Sequence, residues 1–389
     1  MLKLGLKEVF AVIMGGFAVF AMFFGAGNLV FPLLAGKIAN STFFSAFAGL
    51  SLTGILVPLL GLVGILLYNG SYQDFFERFG KVTAFILIFL MLLLMGPFGA
   101  LPRCITVAFG SFSTIDPTFP LSGFSLIISG IAFLLCMNEN QVVPLLGALL
   151  APAKILSVGF ILLFGLLFAT TPQHSLMPPH EAFQEGAFKG YQMMDLIAAF
   201  FFATVIARHF KLKFKANDEN LNHSFSLSLY AILLGSALLL IVYFALVYLG
   251  ATFSEELGKN APEQFLSVIA YLTLGNFGGR VVTVAIILSC LTTIVALTTV
   301  FTDFLYEQIF KKRLQRTACL AITITGTFLM SNLGFSGIMA FLTPILSYLY
   351  PLLIFLTVIN IAGWFWRKQT VKSKQSFATV LESEERSEK

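Results

Sequence analysis

The stretch Phe23-Phe24-Gly25-Ala26-Gly27-Asn28 decides how this chain is read. It interrupts an apolar run that would otherwise form one long helix, with Gly15-Gly16 before it and Pro32 four residues after Asn28. Glycine lets backbone leave α-geometry at little steric cost. Unwound backbone at membrane depth is tolerated only where it lines a cavity or is covered by protein. Its freed amides can hold a carboxylate and its freed carbonyls a cation. The competing reading is close packing, since small residues let helices approach. Four short residues in a row, ending in Asn, favour the broken helix.

The rest of the chain supplies the membrane. The 389 residues are 58% hydrophobic and 11% charged, against roughly 25% charged in a soluble domain. Residues 82–102, 224–254 and 317–366 carry no Asp, Glu, Lys or Arg. A bilayer core about 30 Å thick needs roughly 20 apolar residues per helix. The last run, as one helix at 1.5 Å per residue, would reach about 75 Å, so it must reverse, and Ser331-Asn332-Leu333-Gly334 offers turn chemistry. The expectation is an all-α polytopic membrane protein with ten spans, near residues 9–35, 42–67, 82–110, 121–137, 153–171, 183–208, 224–250, 280–308, 317–331 and 335–365. One core, residues 1–366, divides into halves 9–171 and 183–365, and 367–389 form a polar, disordered cytoplasmic tail. Five spans per half would make the halves antiparallel, the inverted repeat of many secondary transporters.

Charge orients the chain. With the N-terminus inside, Lys3, Lys7, Arg78, Lys81, Lys154, Arg208, Lys211, Lys213, Lys215, Lys311, Lys312, Arg313 and Arg316 all fall on the cytoplasmic side. The outer loops keep only Lys37, Lys189, Lys259 and Arg280. Both termini are therefore expected in the cytoplasm. The net charge of +5 reflects this asymmetry and not a nucleic-acid surface. The first apolar stretch is too long for a signal-peptide core and is read as retained. Cys104, Cys136, Cys290 and Cys319 are scattered in apolar segments, and free, buried thiols are expected. No Ser/His/Asp order, P-loop, GxGxxG or HExxH occurs, and His174, His180 and Glu181 read as a solvated loop. The chain is read as a non-enzyme without cofactor or bound metal beyond a coupling ion.

Three further features bear on transport. Asp195 heads the sixth span, and an acid there is costly enough to be a functional hypothesis by default. It could bind a substrate ammonium, a cation or a proton, or pair with Arg103 of the third span as a structural or gating ion pair. Ser289, Thr292 and Thr293 share one face of the eighth span. Their oxygens suit a hard cation such as Na⁺, although such hydroxyls also bond back to their own helix.

The run Phe20–Pro32 resembles the opening helix of the BrnQ-type branched-chain amino acid:cation symporters, whose fold is similar to that of the leucine transporter. Four more segments agree in order: Gly96-Pro97-Phe98 with Pro102-Arg103; Leu150-Ala151-Pro152-Ala153-Lys154-Ile155; Gly190-Tyr191 with Met194-Asp195; and Ser331-Asn332-Leu333-Gly334 followed by Leu349-Tyr350-Pro351. The resemblance implies a 5+5 inverted repeat with broken first and sixth helices, the second break falling between Asp195 and Thr204. It implies a substrate site of Phe23, Gly25, Ala26, Gly27, Asn28, Asp195 and Phe201, with the amides near Gly25 and Gly27 receiving a carboxylate. It implies a sodium site of the Ala21 and Phe24 carbonyls with Ser289, Thr292 and Thr293. The chain departs from relatives in stopping after ten spans where about twelve are usual. Met193 stands where Thr is frequent, Gly110 where Glu is, and Ala203 and Ala296 where Gly is expected. An extra Met near the site would favour longer unbranched side chains such as methionine.

The expected function is import of leucine, isoleucine, valine or methionine across a bacterial cytoplasmic membrane by symport with Na⁺, or alternatively H⁺. The rival readings are another amine or a nucleobase on the same scaffold, and a passive channel. Nothing in the sequence sets the oligomeric state.

Overall fold

In the computed structural model, residues 5–137, 156, 158–214 and 221–387 are described. They form α1 (Leu6–Phe23), α2 (Ala26–Ala39), α3 (Phe43–Ser51), α4 (Val57–Leu67), α5 (Tyr72–Glu77), α6 (Lys81–Met95), α7 (Ala100–Ser113) and α8 (Leu121–Met137). Then come α9 (Val158–Leu167), α10 (Pro179–Met193), α11 (Asp195–Lys213), α12 (Leu221–Thr252), α13 (Ser254–Leu257), α14 (Phe265–Phe304), α15 (Arg316–Ser331) and α16 (Gly334–Ser387). Among the described residues there is no strand.

The protein is an all-helical, polytopic membrane protein. Among the described residues, six helical runs are long and apolar enough to cross a bilayer, and the bent pair α10–α11, taken as one span, makes a seventh. α8 and α9 are shorter apolar helices, so length alone does not reach the expected ten. The span expected at 153–171 is described only in part, and Leu150–Ile155 lie outside the described residues.

Breaks, more than helices, give the fold its character. α1 stops at Phe23 and α2 starts at Ala26, inside the stretch expected to unwind. The expected third span is two helices, α6 and α7, separated at 96–99. Gly96, Pro97 and Gly99 account for it: Pro97 has no N–H to continue the ladder, and a Cβ at Gly99 would lie 2.2 Å from the Leu94 carbonyl oxygen. The eighth span begins earlier than expected, since α14 runs from Phe265 and bends at Gly275, where φ is +70°. The expected disordered tail is instead a continuation of α16 to Ser387. No Gly or Pro follows Gly363, and Lys, Gln, Glu and Arg there are good helix formers.

Glycines set how closely the helices meet. A Cβ at Gly36 would lie 1.8 Å from the Val247 carbonyl oxygen, and one at Gly250 2.1 Å from that of Leu33, so α2 and α12 touch backbone to backbone. Gly49 and Gly186 do the same for α3 and α10. This close packing supplies the dispersion contact that membrane helices need, lipid being as apolar as their side chains. The four cysteines are buried and form no disulfide.

Candidate functional site

The second break lies at Met194, one residue before Asp195 and not beyond it as expected. Met194 sits at φ +66°, ψ +21°, in the left-handed region, and α10 and α11 meet there at 46°. The two helix breaks lie against each other: a Cβ at Gly27 would stand 3.4 Å from the Met193 carbonyl oxygen. A residue with a long side chain adopts left-handed geometry only where its surroundings hold it.

Arg103 does much of the holding. Its Nη1 donates to the Gln192 carbonyl oxygen at 2.6 Å and its Nη2 to that of Met193 at 3.2 Å. These are terminal carbonyls of α10, left without intrahelical partners by the break. The guanidinium also stands over the Phe31 ring, 5.5 Å from its centroid. Gln192 in turn donates from Nε2 to Thr343 Oγ1 at 3.1 Å, tying the end of α10 to α16.

Asn28 and Asp195 join the two breaks directly. Asn28 Nδ2 donates to Asp195 Oδ2 at 2.7 Å and also to the Tyr243 hydroxyl. Tyr243 donates to the same carboxylate oxygen at 3.0 Å. Asn28 Oδ1 accepts from the Gly25 amide at 3.2 Å, capping α2. All three side chains are buried. Burial of a carboxylate in an apolar bundle is costly unless hydrogen bonds satisfy it, and here two donors do so.

The Arg103–Asp195 ion pair is corrected by this geometry. No contact within salt-bridge distance joins them; the guanidinium is taken by the α10 carbonyls and the carboxylate by Asn28 and Tyr243. Both nevertheless line one cavity of ≈ 60 Å³, room for a few waters. Of the residues expected at the substrate site, Phe23, Gly25, Ala26, Gly27, Asn28 and Asp195 line it, as does Thr293 from the expected cation set. Phe201 does not: it stacks edge-on against Tyr72 at 5.2 Å and faces a neighbouring chamber. Phe202, about 100° further round the helix, takes its place and packs edge-on against Phe23 at 5.2 Å.

Ala21, Phe24, Ser289 and Thr292 lie outside this lining. Thr292 and Thr293 donate to the Ser289 carbonyl oxygen at 2.7 and 3.2 Å, the back-bonding that the spacing also allowed. Tyr243 was missed from sequence. A tyrosine in mid-span whose hydroxyl must find a partner was the available signal. Gly110 also gains a reason: a Cβ there would lie 2.4 Å from Glu263 Cγ, so Glu263 fills the space above it.

The family model for branched-chain amino acid transport proteins matches residues 8–383. The chain belongs to that family. Relatives include the branched-chain amino acid permeases BraB and BrnQ of Bacillus subtilis, each 30% identical, over 89% and 90% of this chain and 78% and 81% of the relative. The fold is similar to that of Mhp1, a nucleobase-cation-symport-1 family transporter solved in a closed conformation. The TM-score is 0.57 at 14% identity, covering 88% of this chain and 77% of that one. A manganese transporter of Eremococcus coleocola aligns with the same TM-score of 0.57, also at 14% identity, over 93% and 89%. At such identities these two likenesses speak for the shared fold of family members like this one and not for a shared cargo.

Proposed function

We propose that this protein is a secondary symporter that imports aliphatic amino acids, branched-chain ones foremost, across a bacterial cytoplasmic membrane. The observation that carries the reading is the cavity between the breaks. One buried carboxylate and one buried guanidinium line it without pairing with each other, and most of the remaining lining is apolar. A zwitterion with an aliphatic side chain complements that arrangement. Arg103 Nε is buried with no hydrogen-bond partner among the described residues, a donor free for a substrate carboxylate. The names of BraB and BrnQ support the same cargo.

Na⁺ is the proposed coupling ion, held between α1 and α14 by the Ala21 and Phe24 carbonyls with Ser289, Thr292 and Thr293. Thr293 lines the cavity beside the first break, which supports an ion coupled to substrate through shared backbone. Ion binding would favour the outward-open state, and coupling follows only if the two states bind the ion with different affinity. The basic loops support a topology with both termini in the cytoplasm.

The test is uptake of radiolabelled leucine, valine and methionine into proteoliposomes, with and without Na⁺ or H⁺ gradients. Gradient-dependent accumulation is expected, and no accumulation under any gradient sinks the reading. Thr293→Ala should raise the Na⁺ concentration for half-maximal uptake, and an unchanged value removes Thr293 from the ion site.

A further inference from the structure

The cavity between the breaks is too small for the substrates proposed for it. Its ≈ 60 Å³ lies far below the roughly 300–1,000 Å³ that small-molecule sites span. Beside it is a second chamber of ≈ 270 Å³. Four residues line both spaces: Met22, Met95, Phe202 and Leu297. They come from α1, α6, α11 and α14, so the wall between the spaces is one side chain thick at each point. Only the two spaces together reach the lower end of that range.

We infer that this four-residue wall is a movable partition, and that the chamber behind it receives the far end of unbranched aliphatic side chains longer than leucine's. The inference rests on the amino-acid reading above and deepens it.

The wall is built to move. Its four side chains carry no N–H or O–H donor and are apolar, so a rotamer change costs little in polar contact. Two of them are methionines, unbranched and adaptable, which fill and vacate irregular gaps easily. A β-branched residue would be locked at χ1, and the wall has none.

The chamber is built to hold methylenes. Leu92, Phe201, Val205, Val300 and Phe301 wall it, and no charged side chain lines it. Each methylene that leaves water for such a wall is expected to tighten binding about fourfold. A straight chain needs only a narrow opening between the two spaces. Valine, short and branched at Cβ, displaces the partition least and reaches least into the second chamber.

The experiment is inhibition of labelled valine uptake in proteoliposomes by a straight-chain series: 2-aminobutyrate, norvaline, norleucine and 2-aminoheptanoate. The inhibition constant should fall about fourfold per methylene to norleucine and not rise at 2-aminoheptanoate. A rise of tenfold or more beyond norvaline, as a closed first cavity would impose, overturns the inference while leaving amino-acid transport intact. Absence of valine uptake overturns both readings together. Val300→Phe fills the chamber from a residue that does not touch the first cavity. It should weaken 2-aminoheptanoate about tenfold or more with valine uptake retained, and equal potency against this variant and the natural protein counts against the chamber. Val205→Phe fills the same space from α11 and gives the same readout should Val300→Phe not reach the membrane.

Discussion

The two helix breaks solve one problem in opposite ways. The break between α1 and α2 is rich in glycine, yet its backbone angles do not require it: Phe24 sits at φ −71° and Gly25 at φ −102°. The break between α10 and α11 has no glycine, yet Met194 stands at φ +66°. Glycine in the first break serves proximity. A Cβ on Gly27 would lie 2.8 Å from Arg103 Nη2 and 3.4 Å from the Met193 carbonyl oxygen. The first break is thus thinned so that Arg103 can reach across and hold the second in a conformation its own sequence disfavours. One break is legible in composition because it makes room; the other is silent because it is held from outside.

The most severe way to break this relation is Arg103→Ala. It removes two charge-assisted hydrogen bonds to buried carbonyls, together about 3 kcal/mol or more. Uptake should fall about a hundredfold or more, and the thermal unfolding midpoint in detergent should drop. Wild-type uptake by this variant would show that the second break holds itself.

Gly27→Ala tests proximity next. The new methyl displaces the guanidinium, and uptake should fall about tenfold, the order that loss of one hydrogen bond to a charged group implies. Gly25→Ala meets nothing closer than 3.7 Å and keeps an extended backbone any residue adopts, so uptake should stay within about twofold. Equal damage by the two would mean that glycine is needed for backbone freedom after all.

Met194→Val sharpens the other side, since a β-branched side chain is more crowded at φ +66° than the unbranched one it replaces. The unfolding midpoint should fall, and an unchanged midpoint would mean that this turn carries no strain. The smallest effect is expected from Tyr243→Phe, which deletes one of the two donors to Asp195. A loss of about 1 kcal/mol in stability is expected, with a change in the pH dependence of uptake as the carboxylate loses a partner. An identical pH profile would reduce Tyr243 to packing.

Much of the fold could be read from residue order. The charge-free runs marked the membrane, and the stretch Phe23–Asn28 contained the first break. Asn28, Asp195 and Arg103 were singled out because polar groups at membrane depth are expensive. The errors have one source. The Arg103–Asp195 pairing, the place of Phe201, the position of the second break and the role of Tyr243 each depend on which face of one helix meets which face of another. Opposite charge suggested that Arg103 and Asp195 would pair. The structure shows that each had a nearer partner, carbonyls opened by a break in one case and an amide and a hydroxyl in the other.

By itself, the sequence determined that the chain spans a membrane as helices, that its first helix unwinds within Phe23–Asn28, and which few polar residues enter the bilayer. Those follow from hydropathy, glycine and charge, which act over a few neighbouring residues. Only tertiary structure decided that Asn28, Asp195 and Tyr243 converge, that Arg103 clamps the end of α10, and that a thin wall parts the cavity between the breaks from a chamber beside it. The groups in each contact lie 48 to 215 residues apart along the chain. What brings them together is the backbone approach that Gly36, Gly250, Gly49 and Gly186 permit, a property of paired surfaces that no single segment carries.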